Sequence, residues 1–432
     1  MKTLLRDLKN VLVRWECENR SFEKQLSDYF SLNPQMGARD RRQFKDWAYL
    51  ILRYWTVIKD KNYSWEIPKD LRQLEENLSQ LLKQKKPEEY LARLHKKGKP
   101  KFVDSPREHL LAYHNFSLNS SSIAKLEDWH EYFHSSLQRA PFSVRETSKG
   151  KQQNVATVLQ DLGFRRSFFL GDAWIREEEC FDLTFREALS NGLLVIQDEN
   201  SQLISELCFE MLREQCGSDK LKILDLCAGA GGKALHLADL AQKKTADIFA
   251  YDVRKKALKE LHRRKKLVEV SNIFFLEDND LSKAAKSKGF DLILIDAPCS
   301  GWGTLRRSPE FANAPVDTGL NTLQSELILR AKSLANENTM IAYVTCSVRE
   351  EENEGLVRKF VKESSLPSIK ALNNQIWKSF FGGNWEDFCQ DLESSRAHQV
   401  REPSNLGTQW GLSKKLSGDG FYLVFVPAKA IL

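Results

Sequence analysis

From Gly192 onward the 432-residue chain alternates short apolar runs with helical segments, and this rhythm constrains the fold more than any other feature. The candidate strands are LKILDLC (221–227), DIFAYD (247–252), NIFFLE (272–277), DLILID (291–296), TMIAYVT (339–345) and GFYLVFV (420–426). Each is too short and too rich in β-branched or aromatic residues for a free-standing helix, and helical segments lie between most of them. Alternation of this kind predicts an α/β fold with a mostly parallel, doubly wound sheet. In such sheets, ligands and chemistry gather where strands open into loops at their carboxyl ends.

Two further regions precede that sheet. Over residues 1–135 the apolar period is helical: Leu4, Leu8, Val11 and Trp15 share a face, as do Phe44, Trp47, Ile51, Tyr54 and Ile58, and then Leu71, Leu74, Leu78 and Leu81. Basic runs at Lys83–Lys86 and Lys96–Lys101 read first as solvated loops and second as phosphate contacts. Residues 136–192 look like a small α+β module. PFSVRE (141–146) reads as a strand, NVATVLQDLGF (154–164) as a helix, and short strands are expected around Trp174 and Phe181. Arg165 and Arg166 face either RNA or water. Residues 193–432 carry the large sheet. An aromatic-rich stretch, 370–389, with Trp377, Phe380, Phe381, Trp385 and Phe388, reads as a helix packed on it rather than a base-stacking surface.

Composition narrows the class. With 41% hydrophobic and 29% charged residues the chain is globular, and no apolar run approaches the roughly 20 residues of a membrane span. The charged N-terminus lacks the apolar core of a secretion signal, so a cytoplasmic protein is expected. Eight cysteines form no CxxC pair and no metal-spaced cluster, which favours reduced thiols over disulfides or a metal site. The net charge of +6 permits a nucleic-acid partner without requiring one. The chain is read as a monomer.

Chemistry is suggested at two places on the sheet. The first strand runs into a loop formed by Cys227, Ala228, Gly229, Ala230, Gly231, Gly232 and Lys233, whose glycines permit a sharp turn and close approach to a ligand. The helix that follows directs unpaired N–H groups into the same space. Asp252, Asp278 and Asp296 close the next three strands, as expected if a nucleoside lies along the sheet edge. The loop and Asp252 alone suit a dinucleotide dehydrogenase as well as a methyltransferase. A phosphate-binding P-loop is excluded by the spacing and by Ala234, which stands where a magnesium-binding Ser or Thr would be needed.

The second place is FDLILIDAPCSGWGTLRR (290–307), where Asp296 and Cys299 follow a buried strand. MIAYVTCS (340–347) repeats the design with Cys346. If the nucleoside is S-adenosylmethionine and the target cytosine, both thiols have work. Carbon 5 becomes nucleophilic only after something adds at carbon 6, which a thiolate does covalently. A second group must then take the carbon 5 proton so that the first thiolate can leave, while an acid such as Asp296 stabilises the pyrimidine. The attacking thiol should have a lowered pKa, and Lys233 is the candidate source of positive charge. Cys17, Cys180, Cys208, Cys216 and Cys389 lack this setting and read as structural, while Cys227 contributes backbone to the loop.

At these residues the chain resembles the Sun/Fmu family of RNA cytosine-5 methyltransferases, particularly the group acting on bacterial small-subunit ribosomal RNA. The resemblance rests on GLLVIQDENSQ (192–202), LDLCAGAGGK (224–233), YDVRKKALKEL (251–261), DAPCSGWGTLRRSPE (296–310), Gln324, TCSVREEENE (345–354) and DGFY (419–422). It implies a Rossmann-like S-adenosylmethionine-dependent sheet, Cys346 as nucleophile, Cys299 as the group that releases product, and the glycine loop with Asp252, Asp278 and Asp296 as the cofactor site. It also implies that the N-terminal helices form a NusB-like RNA-binding domain. The sequence departs from the family's usual proline and threonine in the loop, and Glu337 and Asn338 replace a glycine pair. The strand at Val144 also lacks an Arg-x-Asn pattern. A DNA cytosine methyltransferase would carry its nucleophile in a PCQ context, which is missing, and a dehydrogenase leaves Cys346 without a task. The alternatives that remain are a transfer-RNA substrate and a non-catalytic RNA-binding assembly factor.

Overall fold

Burial follows the sequence periods closely. The computed structural model describes residues 2–17, 21–53, 139–215, 220–241, 245–287, 289–313, 319–384, 386, 408–410 and 418–432. They fall into two units, residues 1–137 with 307–316, and residues 138–306 with 317–432.

In the first unit, α1 (Lys2–Cys17), α2 (Phe22–Leu32) and α3 (Ala38–Arg53) enclose one core. Leu8, Val11 and Trp15 from α1 meet Phe22 and Leu26 from α2 and Phe44, Trp47 and Ile51 from α3, the spacing that puts apolar side chains on one helix face. Tyr29 stacks on Phe44 with ring centroids 4.4 Å apart and donates its hydroxyl to Asp7. The expected apolar positions from Tyr54 to Leu81, and both basic runs, lie outside the described residues.

The second unit contains two sheets. The smaller is built from β1 (Phe142–Glu146), α4 (Ser148–Gln152), α5 (Val155–Asp161), β2 (Arg165–Arg166), β3 (Ala173–Arg176), α6 (Leu183–Ser190) and β4 (Leu194–Ile196). Its strands are antiparallel in the order β2-β3-β1-β4, so the module takes in residues beyond 192. The strand expected around Phe181 does not form. That segment is instead the approach to α6, and Asp182 caps the helix by accepting from the Thr184 N–H at 2.8 Å. Arg165 and Arg166 are exposed on the edge strand, where the Arg166 guanidinium lies 4.4 Å over the Trp174 ring.

The larger sheet follows α7 (Glu199–Gln215) and runs through β5 (Leu221–Asp225), α8 (Gly232–Ala241), β6 (Ala246–Ala250), α9 (Lys255–Leu267), β7 (Ile273–Phe275), α10 (Asp278–Ser287) and β8 (Leu292–Asp296). It continues through α11 (Leu320–Leu334), β9 (Met340–Thr345), α12 (Glu354–Val357), α13 (Leu366–Phe381), β10 (Thr408–Trp410) and β11 (Phe421–Pro427). The strand order is β10-β11-β9-β8-β5-β6-β7, parallel from β9 to β7, with the last two strands antiparallel. All six expected strands are present, and β10 is additional. Helices cover both faces, so β9 is buried throughout: Met340, Ala342 and Val344 enter one core, Ile341 and Tyr343 the other. Trp377 and Phe381 on α13 pack into the first of these cores, as expected for the aromatic-rich stretch, while Trp385 and Phe388 lie outside the described residues. Among the described residues no helix is long and apolar enough to cross a membrane. The parallel order brings the carboxyl ends of β5, β6, β8 and β9 to one edge.

Candidate active site

At the β5 end, the glycine loop is held in a conformation that side chains resist. Gly229 and Gly231 have φ of +55° and +86°, and a Cβ on Gly231 would lie 2.0 Å from Leu261 Cδ1. The Gly229 N–H donates to Asp252 Oδ2 at 2.8 Å, the Ala228 N–H to the Tyr251 carbonyl, and Arg264 Nη1 to the Ala230 carbonyl. Asp252 also accepts from the Arg254 backbone N–H and from its guanidinium. Burial works against its charge, but the hydrogen bonds from Arg254 and Gly229 prevail and hold the carboxyl below the usual range. Asp278, expected beside it, opens α10 and is 77% exposed, accepting from the Tyr251 hydroxyl at 2.6 Å and Arg330 Nη2 at 2.7 Å.

Asp225, which the sequence reading passed over, ends β5 beneath the loop. Its carboxyl is pushed up to about 7 by burial and then by the neighbouring Asp296 charge, against the Lys233 charge and a Cys227 backbone hydrogen bond. Its Oδ1 is buried with no hydrogen-bond partner among the described residues. An acid with one buried oxygen unpaired, two left-handed glycines and the N-terminus of α8 fit a ligand with both a cationic centre and a carboxylate, as S-adenosylmethionine has.

At the β8 and β9 ends, adjacent parallel strands bring the two predicted cysteines together. Cys299 Sγ and Cys346 Sγ are 3.3 Å apart. Lys233 Nζ, buried at the start of α8, reaches Asp296 Oδ2 at 2.7 Å and lies 5.3 Å over the Phe421 ring. Burial opposes the ammonium charge, but the Asp296 pairing outweighs it and raises the Lys233 pKa. The expectation of a lowered Cys346 pKa is not met. The hydrogen bond with Cys299 pushes this thiol up, burial adds to it, and the charges of Cys299 and Asp296 act in the same direction. Lys233 does pull the other way, yet its charge is already committed to Asp296. Cys180 and Cys208 are buried, and burial pushes the Cys208 thiol up. Cys216 and Cys389 lie outside the described residues.

Backbone and buried polar contacts fix the thiol-bearing turns. Gln324 on α11 donates to the Pro298 carbonyl, and Glu352 accepts from the Ser300 N–H. The Ser300 and Ser347 hydroxyls are 3.1 Å apart, and Asn353 donates to the Ser347 carbonyl. The Gly303 N–H donates to the Cys346 carbonyl at 2.9 Å, and the Gly420 N–H to the Gly303 carbonyl at 2.7 Å. Asn200 and Asp198 in turn hold Asp419, by its carbonyl and its N–H respectively. The motifs around 197–202, 299–303, 345–353 and 419–420 therefore meet at one point. Of these supports, only Gln324 and the motif strings could be read from sequence, and their roles depend on contacts between distant segments.

Part of the chain is similar to known proteins. Residues 214–380 match the family described as 16S rRNA methyltransferase RsmB/F. The chain is 32% identical over 182 residues to a probable ribosomal RNA small subunit methyltransferase B of Bacillus subtilis (strain 168), covering 40% of this chain and 38% of that one. It is 27% identical over 276 residues to ribosomal RNA small subunit methyltransferase B of Enterobacter sp. (strain 638), covering 62% of each. The aligned regions thus span from under half to under two thirds of these relatives' lengths. In fold it is similar to the crystal structure of PH0851, with a TM-score of 0.57 at 20% identity over 94% of both chains. A methyltransferase homologue from Pyrococcus horikoshii gives a TM-score of 0.50 at 18% identity over 75% of this chain and 99% of that one. Residues 214–380, which carry the glycine loop and the paired strand-end thiols at one sheet edge, are thus similar to the RsmB/F family of 16S rRNA methyltransferases.

Proposed function

We propose that this protein methylates carbon 5 of a cytidine in RNA, with small-subunit ribosomal RNA as its substrate, through a covalent bond between Cys346 and the base. The observation that carries the reading is the 3.3 Å approach of Cys299 and Cys346 beside the Lys233–Asp296 pair. S-adenosylmethionine, when bound, supplies an electrophilic methyl group. The glycine loop and Asp252 would hold its ribose side, with Asp278 further along the edge and Asp225 beneath the loop. Cys346 adds as thiolate to carbon 6, forming a carbon–sulfur bond and moving the ring electrons towards carbon 5. Asp296, oriented by Lys233, hydrogen-bonds the pyrimidine and stabilises that charge. Once carbon 5 carries the methyl group, Cys299 takes its proton, the ring double bond re-forms and Cys346 leaves. The helical residues 1–135 and the small-sheet module, residues 136–196 with β4 included, are proposed as RNA-binding regions, with residues 197–432 as the catalytic domain.

Denaturing gels with a cytidine-containing RNA test the roles. Cys346→Ala should abolish both methyl transfer and adduct. Cys299→Ala should attack and methylate, then stall as an SDS-resistant protein–RNA species that needs S-adenosylmethionine to accumulate, because addition and elimination are separate steps. An adduct with Cys346→Ala but none with Cys299→Ala would reverse the two roles. No adduct with either variant would remove Cys299 from product release.

A further inference from the structure

We propose that the exposed face of α9 is a docking surface for the phosphate backbone of the substrate RNA; this rests on the reading of RNA as substrate. The helix KKALKELHRRKKL carries seven basic side chains against one acid, an excess as large as that of the whole chain. The formal charges of all the other residues sum to zero. Spacing then sorts these side chains. Leu261 turns inward against Gly231, Arg264 is spent on the Ala230 carbonyl, Lys265 on the Ile273 carbonyl, and Arg263 on Glu260. Lys255, Lys259, His262 and Lys266, at i, i+4, i+7 and i+11, form one exposed stripe, with Lys256 beside its start. Among the described residues no acid lies within ion-pair distance of Lys256, Lys259 or Lys266.

A basic helix face is commonly only a solvated one, so placement has to decide. Lysines in a last turn, such as Lys266, are favoured by the helix dipole and need no further reason. Lys255 and Lys256 stand in the first turn, where the dipole disfavours cations and acids would stabilise the helix. Local stability thus argues against the residues actually present, and an external polyanion would compensate. That first turn follows Asp252 directly, so the stripe begins at the sheet edge carrying the glycine loop and runs down the flank of β6 and β7. An RNA strand whose target base enters at Cys346 would lay neighbouring phosphates along it, each contact releasing counterions.

The test compares full-length protein with two variants of equal charge loss. One is Lys256→Gln, Lys259→Gln and Lys266→Gln on α9. The other is Lys359→Gln, Lys378→Gln and Lys429→Gln at exposed positions elsewhere. Binding of a fluorescently labelled cytidine-containing stem-loop RNA is followed by anisotropy over a potassium chloride series, and S-adenosylmethionine binding by calorimetry. The α9 variant should bind RNA about tenfold or more weakly at moderate salt, with a log–log salt slope shallower by about 2, or roughly 0.7 per lost contact. Its cofactor affinity and the RNA affinity of the control variant should be unchanged. Equal weakening by both variants would mean a net-charge effect, and an unaltered α9 variant would mean a merely solvated face; either overturns the proposal alone. Wild-type protein that binds no RNA would overturn the RNA reading itself, and this surface with it.

Discussion

The two ends of the same sheet edge are built on opposite electrostatic terms. At the β6 end the acid is satisfied: Asp252 accepts four hydrogen bonds from Gly229 and Arg254 and is held ionised. At the β8–β9 end Asp296 is paired with Lys233, while the Cys346 thiol is held neutral. Cys346, half-buried, has its pKa raised, and Asp225, at the end of β5 beneath the glycine loop, is pushed up to about 7. A carboxylate held ionised is in the charge state that accepting hydrogen bonds requires. A thiol kept neutral suits chemistry if it ionises only when a substrate changes its surroundings.

The largest expected effect lies under the satisfied end. Asp239 on α8 pairs with Arg145 of β1, the two being 7% and 1% exposed, and Arg145 reaches Gln197, which donates to the Gly232 carbonyl. Asp239→Ala would leave the guanidinium buried and unpaired, at a cost of about 3–5 kcal/mol in denaturant unfolding. Arg145→Met with Asp239→Leu should recover most of that loss, since neither charge is then buried. At the reactive end, Gly303→Ala would place a Cβ 1.9 Å from the Gly420 carbonyl oxygen and 2.7 Å from that of Cys346, both backbone atoms that cannot yield. The strand-end turns must shift, and kcat/KM for methyl transfer should fall by about 100-fold with cofactor affinity by calorimetry unchanged. Equal losses in both quantities would mean that the two ends are not independent. Smaller still, Asp252→Ala should weaken S-adenosylmethionine binding by roughly 1–3 kcal/mol, because the Gly229 N–H loses its acceptor.

The sequence made the satisfied end legible and the reactive end only in outline. Six strands and the glycine loop follow from short-range patterns that burial on both faces enforces. The three-residue strand Thr408–Trp410 has no period to read, and the segment at Phe181 has the apolar content of a strand but no partner for it. That Cys299 and Cys346 would be close followed from adjacent strand ends, since parallel neighbours end side by side. The direction of the Cys346 shift did not, because it depends on which neighbour claims Lys233, and Asp296 does. Arg145 was similarly opaque: it sits on a strand where RNA contact was in question, yet it is fully buried against Asp239, 94 residues away.

The last and smallest effect separates the groups that set the Cys346 thiol. Cys299 raises its pKa first through their hydrogen bond and also through charge, while Lys233 lowers it. A thiol alkylates as the thiolate, so the rate at a given pH rises as its pKa falls. Cys299→Ala removes two of the raising contributions and should move the midpoint of Cys346 alkylation by iodoacetamide to lower pH, followed by peptide mass spectrometry. Lys233→Met should move it to higher pH, because the lowering charge is lost and Asp296 is left without its partner. Cys299→Ser keeps a hydrogen-bonding group that does not ionise, so its midpoint should fall between those of wild type and Cys299→Ala. The Asp252→Ala variant should leave it in place, since Asp252 is not among the groups acting on Cys346. A Cys299→Ala midpoint that stayed or rose would mean that burial, rather than its sulfur neighbour, keeps Cys346 neutral. The contrast between the two ends would then be one of depth alone.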